Sequence, residues 1–279
     1  MKRNDIDSGK TFDFGKTSEG YARYRDIYPQ SMYEKLIGSG VGKPGQEILD
    51  LGSGTAVLPV NMCGTGARFT STDISENQIA FGKKLTEERG IDNISFRVCS
   101  AEDTGFADNS FDAVTAVQCF HYFDAEKAAA EIRRVLKPNG LFCKVFMDWL
   151  PYEDEVIAEM ERTVLKYNPD WSGGGFREFR YSFPDWAENR YALVSVQSYN
   201  EVLTFTKEAW LNRVMTCRGV GASLSKEKAE EFKREYGALL EKYDDILYLK
   251  HQIHIEIYRK IVTAQQSPLC SSTDKHEIM

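Results

Sequence analysis

The chain has 279 residues, a formal net charge of -7 and 42% hydrophobic residues. This length is enough for one domain with a sizeable core. The acidic balance argues against a protein that follows nucleic-acid phosphates. The six cysteines are scattered without a CxxC pair, so we expect reduced thiols and no metal site. No apolar run could cross a bilayer and the first residues are polar. We therefore expect a cytoplasmic monomer or homodimer that binds neither nucleic acid nor a membrane.

Tyrosine and arginine dominate residues 21–29, the first informative segment. One interpretation is an amphipathic helix whose tyrosines pack and whose arginines face solvent. The other is a lid, because arginine binds carboxylates in a fork and tyrosine offers a flat face with a hydroxyl. A short helix follows from about Ser31 to Ile37. We group residues 1–40 as an N-terminal lid or helical segment.

A glycine turn follows the first apolar run of the chain. Residues 48–51 predict a short buried strand, and Gly52-Ser53-Gly54 breaks it. Thr55 is a candidate cap for a helix that opens at Ala56. A strand, a glycine turn and a helix N-terminus form a nucleotide-sized cradle at the carboxyl edge of an α/β sheet.

The residues around this turn narrow the choice of nucleotide. A dinucleotide-binding turn needs a third small residue where this chain has Val57, and no P-loop lysine follows Gly54 before Lys83. The acidic Asp50 just before the turn favours a ligand that carries positive charge instead of phosphates.

Residues 47–56 resemble the first motif of the class I S-adenosylmethionine-dependent methyltransferases, with Ala56 where a third glycine is usual. Residues 21–29 are similar to the Tyr-x-x-Tyr-Arg-Pro-x-Tyr-Pro opening of small-molecule enzymes related to the trans-aconitate methyltransferases, with Asp26 replacing a proline. The resemblance implies that Tyr21 and Arg25 help to close the cofactor site. It also implies a cofactor-binding role for the cradle residues Asp50, Gly52, Ser53 and Gly54.

The next two strands each end at an acidic position. Asp73 follows a strand at residues 68–72, about 20 residues past the glycines, where α/β nucleotide sites place a carboxylate on the ribose. The alternative role is a helix cap, which Ser75 already supplies. Ile74 would then pack on the adenine and Gln78 would face it. After the third strand (residues 94–99), the family pattern selects Ala101 and Glu102 for the adenine; the alternative is a solvated acidic turn.

The stretch that leaves strand four (residues 113–117) is the second most informative one. Strands one and four flank the switch point of a doubly wound sheet, so residues there face the ligand. The resemblance places Gln118 and Cys119 on the cofactor, and Phe120 and Tyr122 on the methyl group and substrate. His121 is either a core histidine or the catalytic base.

The second half of the chain departs from the alternation of strands and helices. Asp124 caps a helix over residues 125–136, and a Leu-Lys-Pro-Asn-Gly turn, also similar to the family, precedes strand five at residues 141–146. We expect a cap insertion over about 147–198, with a helix at 153–165. Trp149, Arg177 and Arg180 are candidate substrate contacts, although a helix with a solvated loop is the more common explanation for any single one of them. The sheet resumes at Tyr199, and residues 252–258 alternate like a final antiparallel strand.

The resemblance covers residues 20–147 and implies a Rossmann-like α/β sheet of seven strands, in the order 3-2-1-4-5-7-6 with strand seven antiparallel. The methyltransferase domain would span residues 41–265, with a disordered tail at 266–279. The implied cofactor is S-adenosylmethionine, converted to S-adenosylhomocysteine as an acceptor displaces the methyl group in line. The acceptor is expected to be a small molecule, a carboxylate if Arg25, Arg177 and Arg180 bind it. Two alternatives stay open: a methyltransferase for protein or RNA, and a catalytically silent cofactor-binding protein.

Overall fold

The computed structural model describes residues 3–17 and 27–262, which build a seven-stranded sheet in the order β3-β2-β1-β4-β5-β7-β6. The first five strands pair in parallel, and β7 runs antiparallel to both β5 and β6. The predicted Rossmann-like order with an antiparallel strand seven is therefore confirmed. The strands are β1 (Glu47–Leu51), β2 (Arg68–Asp73), β3 (Ile94–Val98), β4 (Phe111–Val117), β5 (Leu136–Trp149), β6 (Tyr191–Thr206) and β7 (Ile246–Lys260).

The α-helices of the described residues fall into two groups, those that cover the parallel half of the sheet and those that follow β5. They are α1 (Gln30–Gly38), α2 (Val57–Met62), α3 (Glu76–Glu88), α4 (Ala125–Val135), α5 (Glu155–Tyr167), α6 (Lys207–Met215) and α7 (Lys226–Leu240). Ser75 caps α3 and Asp124 caps α4, each by accepting a backbone N–H three residues on. Each cap satisfies one of the amide groups that a helix N-terminus leaves without an internal partner.

The sheet is buried on both faces, as a parallel sheet between two helical layers requires. On one face, Ile48 of β1 packs with Met32 and Leu36 of α1. On the other, Leu49 packs with Ile132 of α4. This alternation explains why residues 48–51 appear as a continuous apolar run in the sequence.

Several element boundaries differ from the sequence-based expectation, among them the start of β5 at Leu136 instead of residue 141. Three further differences concern the end of β5, the start of β6 and the start of α2. The strand β5 continues to Trp149, and β6 begins at Tyr191, eight residues before Tyr199. The early start of β6 was missed because β6 is an edge strand. Its first residues are largely exposed, so they lack the alternation of apolar residues that would mark a strand in the sequence. The third concerns α2, which begins at Val57 after Ala56 adopts a left-handed conformation with φ of 65°. Thr55 does not cap this helix; its buried hydroxyl has no hydrogen-bond partner among the described residues.

Residues 150–190 connect β5 to β6 and contain α5 followed by an extended stretch; we call them the cap segment. They share a hydrophobic cluster with α6 and α7, in which Trp171 and Trp210 are buried. The indole N–H of Trp210 donates to the Tyr236 hydroxyl at 2.7 Å, which ties α6 to α7. None of the helices in the described ranges is long and apolar enough to cross a membrane.

Candidate functional site

A cavity of about 850 Å³ opens at the carboxyl ends of β1, β2, β4 and β5. Most of the residues singled out from the sequence line it: Gly52, Gly54, Asp73, Ile74, Gln78, Ala101, Glu102, Gln118, Cys119, His121, Tyr122 and Trp149. The remaining ones do not: Asp50, Ser53, Phe120, Arg177 and Arg180 lie outside the lining, and Tyr21 and Arg25 lie outside the described residues.

The glycine turn after β1 forms the floor of the cavity. Gly52 has a φ of 58°, and a side chain there would place its Cβ 2.8 Å from the Cβ of Cys119. Gly54 also has a positive φ, 57°. Ser53 fastens the turn to β2 through its backbone N–H, which donates to the Thr72 carbonyl at 2.8 Å. Only glycine fits at position 52 without moving the β4 edge.

Asp73 is held rigidly at the end of β2. Its Oδ2 accepts from the Gly54 N–H at 3.0 Å, and its Oδ1 accepts from the Ser75 N–H at 2.8 Å. Burial raises the pKa of Asp73, against these amide hydrogen bonds, which lower it. The carboxylate retains lone pairs toward the cavity that it lines. It is therefore preorganised to accept further hydrogen bonds from a diol.

Three further side chains around Asp73 fit an adenosine. Ile74 lines the cavity and is 60% exposed, so it presents an apolar surface beside Asp73 on which a flat ring could pack. The Gln78 side-chain nitrogen donates to the Phe14 carbonyl at 3.2 Å, while its buried Oε1 has no hydrogen-bond partner among the described residues. Glu102 accepts from the Ser100 hydroxyl and, at 2.9 Å, from the Asp124 N–H. An apolar face and acceptors at an edge are what a nucleoside requires.

Asp50 lies one layer behind the cavity, contrary to the expectation that it contacts a ligand. It is 2% exposed, and the Thr115 hydroxyl of β4 donates to its Oδ1 at 2.6 Å. The reason is that Asp50 and Thr115 are register partners on β1 and β4, so their side chains meet on the same face of the sheet. Burial raises the pKa of Asp50 to about 7, with a smaller contribution from the negative charge of Asp73.

The residues that leave β4 divide between the cavity and the core. Gln118 has a φ of 60°, and the Cys119 thiol donates to the Leu51 carbonyl at 3.0 Å. Phe120 turns inward, with its ring centroid 5.4 Å from Phe142 and 5.0 Å from Trp186, so it supports the wall from behind. Phe120 therefore does not line the cavity, contrary to the expectation that it contacts the substrate.

His121 lines the cavity beside the rings of Tyr122 and Phe146, with centroids at 3.8 and 5.3 Å. The residue as a whole is exposed to the cavity, yet its ring is desolvated by its aromatic neighbours. This desolvation, and then the positive charges of Arg218 and Arg3, lower the pKa of His121 to about 4. The imidazole is neutral near pH 7 and is a weak base.

The wall opposite the cradle contains residues that sequence reasoning missed. They come from the end of β5, the cap segment and α6 with the loop after it: Phe146, Met147, Asp148, Trp171, Ser172, Gly173, Gly174, Gly175, Phe176, Arg213, Cys217 and Arg218. Asp148, like Asp73, is a carboxylate near the end of a parallel strand, and this pattern could have identified it. It was missed because strand five was predicted to end at Phe146, two residues earlier. No local pattern marks the others, because tertiary packing alone brings them here.

Among the described residues, two arginines line the cavity, and neither was singled out from the sequence. Arg213 is 2% exposed, surrounded by the rings of Trp149, Phe205 and Trp210 at 5.1–5.5 Å. Arg218 pairs with Asp7 at 2.5 Å. By contrast, the expected substrate contacts face solvent: Arg177 stacks on Tyr152, and Arg180 pairs with Glu178 with its own side chain 81% exposed.

The N-terminal residues 3–17 close one side of the cavity. Asp13, Phe14 and Gly15 line it directly. The buried Asp7 anchors them, because its Oδ1 accepts from the backbone N–H and hydroxyl of Ser172 at 2.8 and 3.0 Å in addition to its pair with Arg218. Within the described ranges, no group of three or more His, Cys, Asp and Glu residues could hold a metal ion.

Comparisons with known proteins agree with this geometry. A family model described as a methyltransferase domain matches residues 49–144. The uncharacterized methyltransferase YcgJ of Bacillus subtilis is 25% identical over 203 residues, which cover 72% of this chain and 78% of that protein. The ubiquinone/menaquinone biosynthesis C-methyltransferase UbiE of Brucella canis is 37% identical over 159 residues, 52% of this chain and 59% of that protein. The alignment thus spans less than two thirds of UbiE.

The likeness extends to a solved structure. The crystal structure of YcgJ superposes with a TM-score of 0.51 at 19% identity, covering 81% of this chain and 97% of that one. At this identity the likeness concerns the fold. The methyltransferase domain takes S-adenosylmethionine as its cofactor, and the Asp73, Ile74 and Gln78 arrangement fits its adenosine. The matches do not distinguish the trans-aconitate group from other small-molecule methyltransferases.

Proposed function

We propose that the chain is a class I S-adenosylmethionine-dependent methyltransferase that transfers the methyl group to a small molecule by direct in-line displacement. The observation that carries the proposal is the continuity of the cavity. One space of about 850 Å³ joins the adenosine cradle to an aromatic compartment formed by Trp149, Trp171 and Phe176. A cofactor and a second small molecule could occupy the two ends together.

When bound, the cofactor supplies a methyl group on a positively charged sulfur, which leaves as a neutral thioether after displacement. The chain needs to contribute little covalent chemistry to such a reaction. Asp73 and the glycine turn would fix the nucleoside end, while the aromatic compartment would fix the acceptor. Alignment of this kind can supply roughly 7–11 kcal/mol of the barrier reduction in well-oriented cases.

A small acceptor fits the enclosure better than a macromolecule. The cap segment covers one side of the cavity, and residues 13–15 cover another. An RNA would need a basic groove, which the net charge of -7 disfavours. The relative UbiE is named as a C-methyltransferase of ubiquinone and menaquinone biosynthesis, which are small molecules.

The acceptor is proposed to carry an anionic group such as a carboxylate. The sequence motivated this with Arg25, Arg177 and Arg180. Among the described residues, the arginines that line the cavity are Arg213 and Arg218. The aromatic rings around Arg213 lower the local dielectric and so strengthen the attraction of this positively charged wall for an anion.

Transfer of a labelled methyl group from S-adenosylmethionine into a cell extract tests the proposal. The extract is divided by size, so that label in metabolites, in protein and in RNA is counted separately. We expect label in the metabolite fraction with the wild type and none with Asp73→Ala. Label in protein or RNA would contradict the small-molecule proposal. A protein that binds the cofactor but labels no fraction would be catalytically silent.

A further inference from the structure

We propose that Asp148 is the catalytic base of this methyltransferase and that its acceptor is methylated on a hydroxyl oxygen. The inference rests on the proposed function and adds the acceptor atom and the residue that receives its proton. A carboxylate acceptor would need no base, because it is already ionised near pH 7. A hydroxyl has to lose a proton as it attacks, so a base has to lie at the cavity wall.

The position of Asp148 satisfies the geometric requirement. It lies near the carboxyl end of β5, lines the cavity and keeps 32% of its side chain exposed. On β7 its register partner is Gln252, whose Oε1 accepts from the Phe179 N–H of the cap segment at 2.7 Å. This hydrogen bond holds the cap segment beside Asp148. The cap segment therefore shields the Asp148 carboxylate from bulk water, while the carboxylate stays open to the cavity.

Within residues 3–17 and 27–262, no cation forms an ion pair with Asp148 at neutral pH. On β7, His254 Nε2 lies 3.8 Å from Asp148 Oδ2, beyond hydrogen-bond distance. Burial, and then the charge of Lys144, lower the pKa of His254 to about 4, so this imidazole is neutral. Lys144 of β5 is itself paired with Glu256 at 2.8 Å.

The cavity lining contains ten other ionisable side chains: Asp13, Asp73 at the end of β2, Cys99 and Glu102 after β3, Cys119, His121 and Tyr122 after β4, Arg213 of α6, and Cys217 and Arg218 after it. The cap residues 171–176 of the lining carry no charge. Burial alone raises the pKa of Asp148, to about 6. This carboxylate is mostly ionised at pH 7 and a stronger base than His121, whose pKa is about 4.

The O–H bond of the acceptor breaks, and its proton forms a bond to a carboxylate oxygen of Asp148. The oxygen's electron pair forms the new C–O bond to the methyl carbon, and the pair of the broken C–S bond remains on sulfur. Asp148 afterwards releases the proton to solvent. The aromatic compartment of Trp149, Trp171 and Phe176, with Phe146 also in the lining, indicates that the hydroxyl is carried by an apolar or aromatic body.

The test uses hydroxybenzoic acids as probes, since each carries a hydroxyl and a carboxylate in one molecule. Labelled product is exposed to alkali, which cleaves a methyl ester but not a methyl ether. We expect an alkali-stable ether, with a rate constant kcat about tenfold lower at pH 5 than on its plateau above pH 7. Asp148→Asn should reduce kcat about 10²- to 10⁴-fold and abolish this pH dependence. Asp245→Asn, at a carboxylate with a side chain 97% exposed, is the matched control and should behave as wild type.

A second measurement does not depend on activity. In protein with ¹³C-labelled aspartate carboxyl groups, the resonance that disappears in Asp148→Asn should titrate near pH 6 in the wild type. Titration near pH 4 would overturn the inference, as would a methyl ester product or an Asp148→Asn variant with unchanged kcat and pH profile. If no fraction of the extract and no probe is labelled, the proposed function itself fails, and this outcome is distinct from the others.

Discussion

Replacement of Asp73 by alanine should nearly abolish cofactor binding. In the wild type, this carboxylate is already oriented by the Gly54 and Ser75 amides, at 3.0 and 2.8 Å. A ribose diol would donate two further hydrogen bonds to it. Hydrogen bonds to a charged group contribute about 1.5–3 kcal/mol each, so the loss of two weakens binding by about 3–6 kcal/mol. This corresponds to an increase in the dissociation constant of about 10²- to 10⁴-fold.

Isothermal titration calorimetry with S-adenosylmethionine measures this loss directly. Two controls separate binding from folding. Asp92→Ala removes an exposed carboxylate outside the cavity lining and should leave the dissociation constant unchanged. Asp73→Asn keeps the shape but loses one acceptor, and should lie between wild type and alanine. An Asp73→Ala protein that is folded, yet binds within threefold of the wild type, would refute the ribose assignment.

Three more changes test the site. Gly52→Ala should lower both cofactor affinity, at least tenfold, and melting temperature, because the new Cβ would lie 2.8 Å from Cys119 at a φ of 58°; Gly64→Ala, with nothing within 4 Å of its new Cβ, is the calorimetric control. Ile74→Ala should weaken binding about 5- to 10-fold, since roughly 1 kcal/mol of apolar contact with the adenine is lost. Asp50 holds its proton more tightly when folded, with a pKa of about 7, so stability falls as the pH rises from about 4 to 7. Between pH 5 and 8, Asp50→Asn should therefore gain about 3 kcal/mol relative to wild type in urea unfolding, and no gain would contradict the burial argument.

The sequence was most informative where local pattern and burial coincide. The strands β1 and β4 are short runs buried on both faces, so the local pattern predicted them, and the position of Asp73 followed from its spacing after the glycine turn. The order of the strands came instead from the resemblance to the methyltransferases. The turn itself was predictable because a positive φ at position 52 favours glycine, whereas the lack of space for a side chain there depends on Cys119, which is distant in the sequence.

The opposite wall was not predictable, since its residues are distant along the chain and meet only through packing. Arg213 resembles any polar residue of an amphipathic helix, yet it is buried among aromatic rings. Asp7 and Phe14 belong to a polar N-terminal stretch without periodicity. Asp148 was missed for a different reason. The strand β5 extends beyond its apolar core because β7 pairs with it as far as Trp149, and such pairing leaves no trace in the local sequence.

The anchoring of the N-terminal residues on the cap segment affects how ligands enter and leave the cavity. Asp7 joins Ser172 to Arg218, and seven residues later Phe14 forms part of the wall and accepts from Gln78. Any molecule as large as a nucleoside that enters on this side has to displace residues 3–17. This displacement would also break the buried ion pair between Asp7 and Arg218. The rate of product exchange would then follow the opening of residues 3–17, so a fusion partner or a truncation at this end would change turnover without touching the reacting atoms.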